Sequence, residues 1–196
     1  MSLEKIQHLE AQIQELRKEI TSLRKEAPLQ EVKDYTLRNS QGIPVLLSTL
    51  FNDKDELIVI HNMGKGCRYC TMWADGFRGI QEILSDRVPW VLSSPDEPEV
   101  LNEFSSSRGW NFNMVSIAGT DFAYDLGFEK REEGKRSYLP GVSAFVKKDG
   151  KIFRASYDSF GPGDLYNPVW HFIDLLPKGV DGWVPKYEYQ LSNPSH

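Results

Sequence analysis

The chain has 196 residues, 40% of them apolar and 26% charged, with a net charge of −5 and a pI near 5.4. That length allows one α/β domain of about 150 residues plus an extension. The acidic balance excludes a general attraction for nucleic acid or anionic membrane surfaces, and no apolar run approaches the ~20 residues of a membrane-spanning helix. The first residues alternate charge with apolar side chains and lack the apolar segment of a secretory signal, so the expected location is the cytoplasm, where structural disulfides are uncommon.

Residues 1–27 contain no glycine and no aromatic side chain. Ile6, Leu9, Ile13, Leu16, Ile20 and Leu23 fall at spacings of 3, 4, 3, 4 and 3, the a/d pattern of a coiled coil. Isoleucine at every a position and leucine at every d position favours two parallel strands. An isolated helix of this length is marginal in water, so its stripe needs a partner. A second copy of the chain, giving a homodimer, is the expectation; docking on the body of its own domain is the alternative.

Pro28 ends this helix. Residues 28–180 then read as the main domain and 181–196 as a tail. Short strands flank a turn at Gly42, and residues 47–51 suggest a helical turn. Residues 56–63, "ELIVIHNM", are a continuous apolar run, as expected of a buried central strand. A glycine loop at 64–66 leads to a helix over 70–84, whose apolar residues recur at helical spacing. A strand over 88–94, a helix ending near Gly109 and a strand over 111–118 follow. Residues 120–141 read as an insertion, a helical turn followed by an exposed charged loop. Two apolar runs around Asp149-Gly150 form a hairpin, and residues 163–179 read as a helix with Pro168 in its first turn. Strands alternating with helices imply parallel pairing, and the hairpin adds an antiparallel edge: an α/β mixed central sheet with helices on both faces.

The only two cysteines, Cys67 and Cys70, lie between the strongest strand and the following helix. Cys67 is expected at the helix N-terminus, where free N–H groups and the helix dipole favour a thiolate. Lys65 and Arg68 add positive charge. Cys70 stands one turn deeper on the same face, within reach of Cys67. The pairing suits disulfide exchange, with Cys67 as nucleophile and Cys70 as the resolving cysteine. His61, six residues before Cys67, is a hydrogen-bonded core histidine, a base near Cys67 or a metal ligand with the two cysteines. The lack of a second paired motif speaks against metal. Asp75 lies eight residues after Cys67, about 80° around a helix. It is either a buried acid shuttling the proton of Cys70 or a partner of Arg78. Trp73 reads as core, and Tyr69 as an exposed residue able to touch a partner.

The residues Cys67, Cys70, Thr71, Trp73, Asp75, Gly76 and Phe77 resemble a bacterial thioredoxin-like family of predicted dithiol–disulfide oxidoreductases, classed as a domain of unknown function. Further matches are Gly109-Trp110, Asp121-Phe122, Tyr124-Asp125, Pro140-Gly141-Val142-Ser143 and Asp174-Leu175, so the resemblance spans nearly the whole chain. It implies a thioredoxin-like three-layer fold with a peroxiredoxin-like insertion. It implies protein or small-molecule disulfides and thiols as substrates, an external reductant, and no cofactor. Thioredoxins set a cis-proline against their dithiol. Counting back from Asp149-Gly150 puts Val142 at that position, in a trans linkage; the alternative is that Pro140, two residues earlier, is the cis-proline with a longer strand after it. Two other readings stay open. One is a thiol peroxidase, against which Gly64 counts because it stands where such enzymes carry threonine. The other is a non-enzymatic dimeric redox sensor or scaffold.

Overall fold

The structure is a computed structural model and describes residues 2–189; residues 190–196 of the tail lie outside the described residues. In chain order the elements are α1 (Ser2–Glu26), β1 (Gln30–Val32), β2 (Thr36–Asn39), β3 (Pro44–Leu46), a 3-10 turn (Leu47–Phe51), β4 (Glu56–His61), α2 (Arg68–Phe77), α3 (Gln81–Arg87), β5 (Trp90–Ser94), α4 (Pro98–Arg108), β6 (Met114–Ser116), α5 (Phe122–Asp125), β7 (Glu129–Glu132), β8 (Lys135–Tyr138), β9 (Gly141–Lys148), β10 (Lys151–Ser159) and α6 (Val169–Asp174). Eight strands form one sheet in the order β1-β10-β9-β4-β5-β6-β2-β3. The pairs β4–β5 and β5–β6 are parallel, while β9, β10, β1, β2 and β3 join antiparallel.

The pleat of β4 divides the interior. Leu57 and Val59 join Leu37, Phe51, Phe122 and Phe145 in one core. Ile58 and Ile60 face the other, which holds Cys70, Trp73, Phe77, Trp90, Trp110 and Trp170. Side chains alternate across a strand, so neighbouring residues of β4 belong to opposite sides of the sheet. No helix among the described residues is long and apolar enough to cross a membrane.

Three expectations need correction. The helix expected over 70–84 is two, α2 and α3, broken where glycines at 76 and 79 weaken the helix and the Gly79 and Ile80 N–H groups turn back to Gly76 and Phe77 carbonyls. Gly76 also gives way to Asn167, whose amide would sit 3.3 Å from an added Cβ. The charged stretch of the insertion is a hairpin, β7–β8, turning on Glu133 and Gly134 at φ +50° and +76°. Its Glu129 side chain is 1% exposed and paired with Arg131 and Arg136. The last helix is only Val169–Asp174, because Pro168 is its N-cap rather than a first-turn residue. Before it, Asp164 accepts the N–H groups of Gly161, Tyr166 and Asn167 and holds a loop instead of a helical turn.

Candidate functional site

The loop after β4 is built to deliver Cys67 to the start of α2. Asn62 accepts the Gly64 N–H at 2.7 Å. Gly64 takes φ +94°, and an added Cβ would lie 3.0 Å from the Asp96 carboxylate, so glycine is required twice over, for conformation and for space. Asp96 accepts the Lys65 N–H at 2.7 Å and the Ser94 hydroxyl at 2.9 Å, tying the loop to the end of β5. Only long-range contacts reveal this role of Asp96; in sequence it looks like part of an acidic helix start.

Cys67 is the N-cap of α2, and its sulfur accepts the Cys70 N–H at 3.1 Å. The Thr71 hydroxyl donates to the Cys67 carbonyl at 3.1 Å. Cys67 is half-buried, Cys70 is buried, and both are free thiols. The Met63 N–H points to the Cys70 sulfur at 3.5 Å. The Cys70 thiol donates to Cys67 and, with the Cys70 and Tyr69 N–H groups, brings the Cys67 pKa down from 9.0 to about 7 against the opposing effect of burial. The same hydrogen bond, followed by burial, pushes the Cys70 thiol far up. Neither Lys65 nor Arg68 is among the groups that lower Cys67; both are exposed on the rim. The Cys70 thiol first, then the N–H groups at the helix start, and not the flanking cations, favour the charged form of Cys67.

The other residues singled out by sequence separate. Trp73 is 3% exposed and packs on Phe160 and Tyr69 beside Cys70, its indole N–H unpaired. Tyr69 is half-buried rather than exposed, stacked on Trp170 with centroids 6.2 Å apart. Asp75 pairs not with Arg78 but with Arg108, whose Nε and Nη2 reach its two carboxylate oxygens, and it also accepts the Trp110 indole N–H at 2.9 Å. These partners hold α2 to the end of α4 and to Trp110 just after it. His61 points away from the cysteines into the opposite core. It stacks on Phe128 at 3.8 Å and meets the Ser143 hydroxyl at 2.9 Å. Burial, and to a lesser degree Arg154, drives its pKa down to about 3, so it is neutral. Pro140, and not Val142, lines the small cavity behind Cys70 together with Trp73 and Phe160. Val142 opposes Ile60 and faces a neighbouring apolar cavity with Phe77 and Trp90. All described peptide bonds are trans.

Three solved structures show the same fold. Peroxidoxin BcpB from Mycobacterium tuberculosis is 23% identical, with a TM-score of 0.56 over 67% of this chain and 84% of that chain. A mutant of PrxQ from Xylella fastidiosa is 11% identical, with a TM-score of 0.52 over 66% and 88%. A peroxiredoxin-like protein from Aquifex aeolicus is 15% identical, with a TM-score of 0.51 over 67% and 74%. The architecture is therefore thioredoxin-like, of the peroxiredoxin kind, with α5 and the β7–β8 hairpin inserted between β6 and β9. No curated protein matches the chain. Residues 4–191 match the family described as "Bacterial protein of unknown function (DUF899)", and the chain belongs to that family.

Proposed function

We propose that the protein is a thiol–disulfide oxidoreductase with Cys67 as the attacking and Cys70 as the resolving cysteine. The observation that carries this reading is the division of one proton between two sulfurs. The Cys67 sulfur receives the Cys70 thiol and the Cys70 N–H, so near neutral pH about half of the half-buried Cys67 is thiolate while Cys70 stays a buried thiol. A nucleophile with a pKa near the ambient pH balances thiolate fraction against intrinsic reactivity.

The Cys67 thiolate attacks one sulfur of a substrate disulfide, forming a mixed disulfide and expelling the other sulfur as a thiolate. Charge then leaves Cys67, and with it the hydrogen bond that is the largest cause of the raised Cys70 pKa. The Cys70 proton passes to the departing thiolate. The Cys70 sulfur attacks Cys67 and releases the second substrate thiolate. Two electrons have moved to the substrate, and an external dithiol restores the Cys67–Cys70 pair. The same steps run backwards when the partner is the stronger reductant. The reading suits a reducing compartment such as the cytoplasm, where the pair rests as a dithiol.

The test is multiple turnover of a chromogenic aromatic disulfide with excess dithiol reductant. Cys67→Ser is expected to abolish enzyme-dependent turnover, and Cys70→Ser, reduced, freed of reductant and then mixed with the disulfide, to release one equivalent of thiol and stop as a covalent adduct visible by intact mass. Turnover by Cys67→Ser equal to that of the natural chain would overturn the proposal. Peroxide consumption surviving Cys70→Ser would replace it with a thiol peroxidase, and a pair that oxidises once without turnover would leave a redox sensor. We also infer that α1 pairs with α1 of a second copy, because its six a/d side chains are 39–57% exposed and none of its residues is buried.

A further inference from the structure

Across the sheet from the cysteines, a bulge in β10 breaks the alternation of side chains. Arg154 opposes Phe145 and Tyr157 opposes Ser143 on β9, with the shift between Arg154 and Ser156. Phe145 and Ser143 lie two apart on one face of β9, so Arg154 and Tyr157 share that face although they are three apart. Bulges of this kind re-aim side chains beside functional sites. Both residues line a cavity of about 300 Å³ whose remaining walls include Phe128, Leu139 and Tyr124. The guanidinium carbon of Arg154 stands 4.5 Å from the Tyr157 ring centre.

The hydrogen bonds of Arg154 are incomplete. Its Nε and Nη2 donate to the Gln30 side-chain oxygen at 3.0 and 2.7 Å, and its Nη1 donates to the Leu126 carbonyl at 2.7 Å. A guanidinium carries five N–H donors, so one remains on each terminal nitrogen. Among the described residues its partners are an amide and a carbonyl, with no carboxylate. Asp125, the acid in the cavity wall, already accepts from Tyr35 and pairs with Lys33 at 2.8 Å. Neutral His61 lies behind Phe128. The cavity therefore holds a partly desolvated cation with spare donors and aromatic walls, and its one acid, Asp125, is already engaged by Lys33 and Tyr35.

We propose that this cavity binds a small organic carboxylate, whose carboxyl group accepts the spare N–H groups of Arg154 and whose flat apolar body lies against Tyr157, Phe128 and Leu139. A planar fork suits two carboxylate oxygens. A single arginine beside a neutralised aspartate favours a monoanion over a multiply charged phosphate. Leu139 and Tyr157 are 37% and 59% exposed, which leaves the cavity open to solvent.

Benzoate is the probe, titrated into the full reduced chain by calorimetry or by amide shifts in NMR. Saturable one-to-one binding is expected. Arg154→Gln should weaken it at least ~10-fold, and acetate and benzyl alcohol should each bind at least ~10-fold more weakly than benzoate, since one lacks the apolar body and the other the charge. Tyr157→Ala, on the exposed rim, should weaken benzoate about 3-fold or more and carries the test if Arg154→Gln fails to fold. The proposal falls if folded natural chain shows no saturable benzoate binding up to about 50 mM, if the folded substitutions leave the affinity unchanged, or if benzyl alcohol binds as well as benzoate.

Discussion

Two helices carry an apolar stripe in this sequence, and the structure treats them in opposite ways. Six of the ten residues of α2 are buried: Cys70, Thr71, Met72, Trp73, Ala74 and Phe77. None of the 25 residues of α1 is buried. α2 lies over the sheet because β4 delivers it there through a six-residue loop, residues 62–67. α1 is joined to the body mainly near its end, where Arg24 reaches Asp158 at 2.8 Å across an exposed ion pair. Periodicity determines that a helix has a stripe; chain connectivity determines whether the same chain covers it.

The contrast predicts unequal responses to substitution. Trp73→Ala should cost about 3–5 kcal/mol in denaturant unfolding, the range for truncating a large core aromatic. Leu16→Ala, measured at dilutions where the chain is monomeric, should change body stability by less than about 0.5 kcal/mol. A cost at Leu16 comparable to that at Trp73 would mean that α1 is covered intramolecularly. Next in size, Asp75→Asn should lose about 2 kcal/mol through the broken contacts to Arg108 and Trp110, while the absorbance titration of the Cys67 thiolate stays in place. Slowed resolution of a trapped Cys67 mixed disulfide in a variant of undiminished stability would instead make Asp75 a proton carrier.

A smaller effect is expected from pH. The Cys67 pKa is depressed from 9.0 to about 7 in the folded state. Its contribution to stability is complete above the unfolded value and is lost as pH falls through the folded one. Relative to Cys67→Ala, the reduced natural chain should gain stability between about pH 7 and pH 9, by no more than about 1 kcal/mol once solvent screening of a half-exposed sulfur is counted. A flat difference across that window would show that the Cys70 thiol and the helix-start N–H groups do not lower the Cys67 pKa. Smallest of all for the fold, Leu16→Lys should leave body stability within about 0.5 kcal/mol yet shift sedimentation toward the monomer if α1 pairs with its copy.

The parts of the site that were legible in sequence are local. The apolar run of β4, the glycine loop, the cap position of Cys67 and the Asp149-Gly150 turn each follow from neighbours within a few residues. What sequence did not yield depends on the third dimension. Arg108 is 33 residues from Asp75 and closes an ion pair that position alone assigns to the nearer Arg78. Asp96 supports the Gly64 turn from the end of another strand. For His61 the period of two was visible, since it cannot share a face with Ile60, but which face the cysteine helix would cover was not. The run Glu129 to Arg136 looks like a solvated loop because its charges mask the Glu133-Gly134 turn, and because Glu129 is buried by two arginines rather than by apolar neighbours.

The extra residue in β10 has one more consequence. Because Ala155 lies between the Arg154–Phe145 and Ser156–Ala144 pairings, its deletion would leave every later pairing unchanged. A slip of residues 156–159 by one position is the damaging event. Asp158 now lies beside Arg24 and Tyr166, on the α1 side of the sheet. After a slip it would cross to the side of Arg154, and Tyr157 would take its place. A carboxylate would then stand beside the open guanidinium, and the root of the N-terminal helix would lose its anchor. Two features that share no atom are in this way governed by a single choice of strand phase.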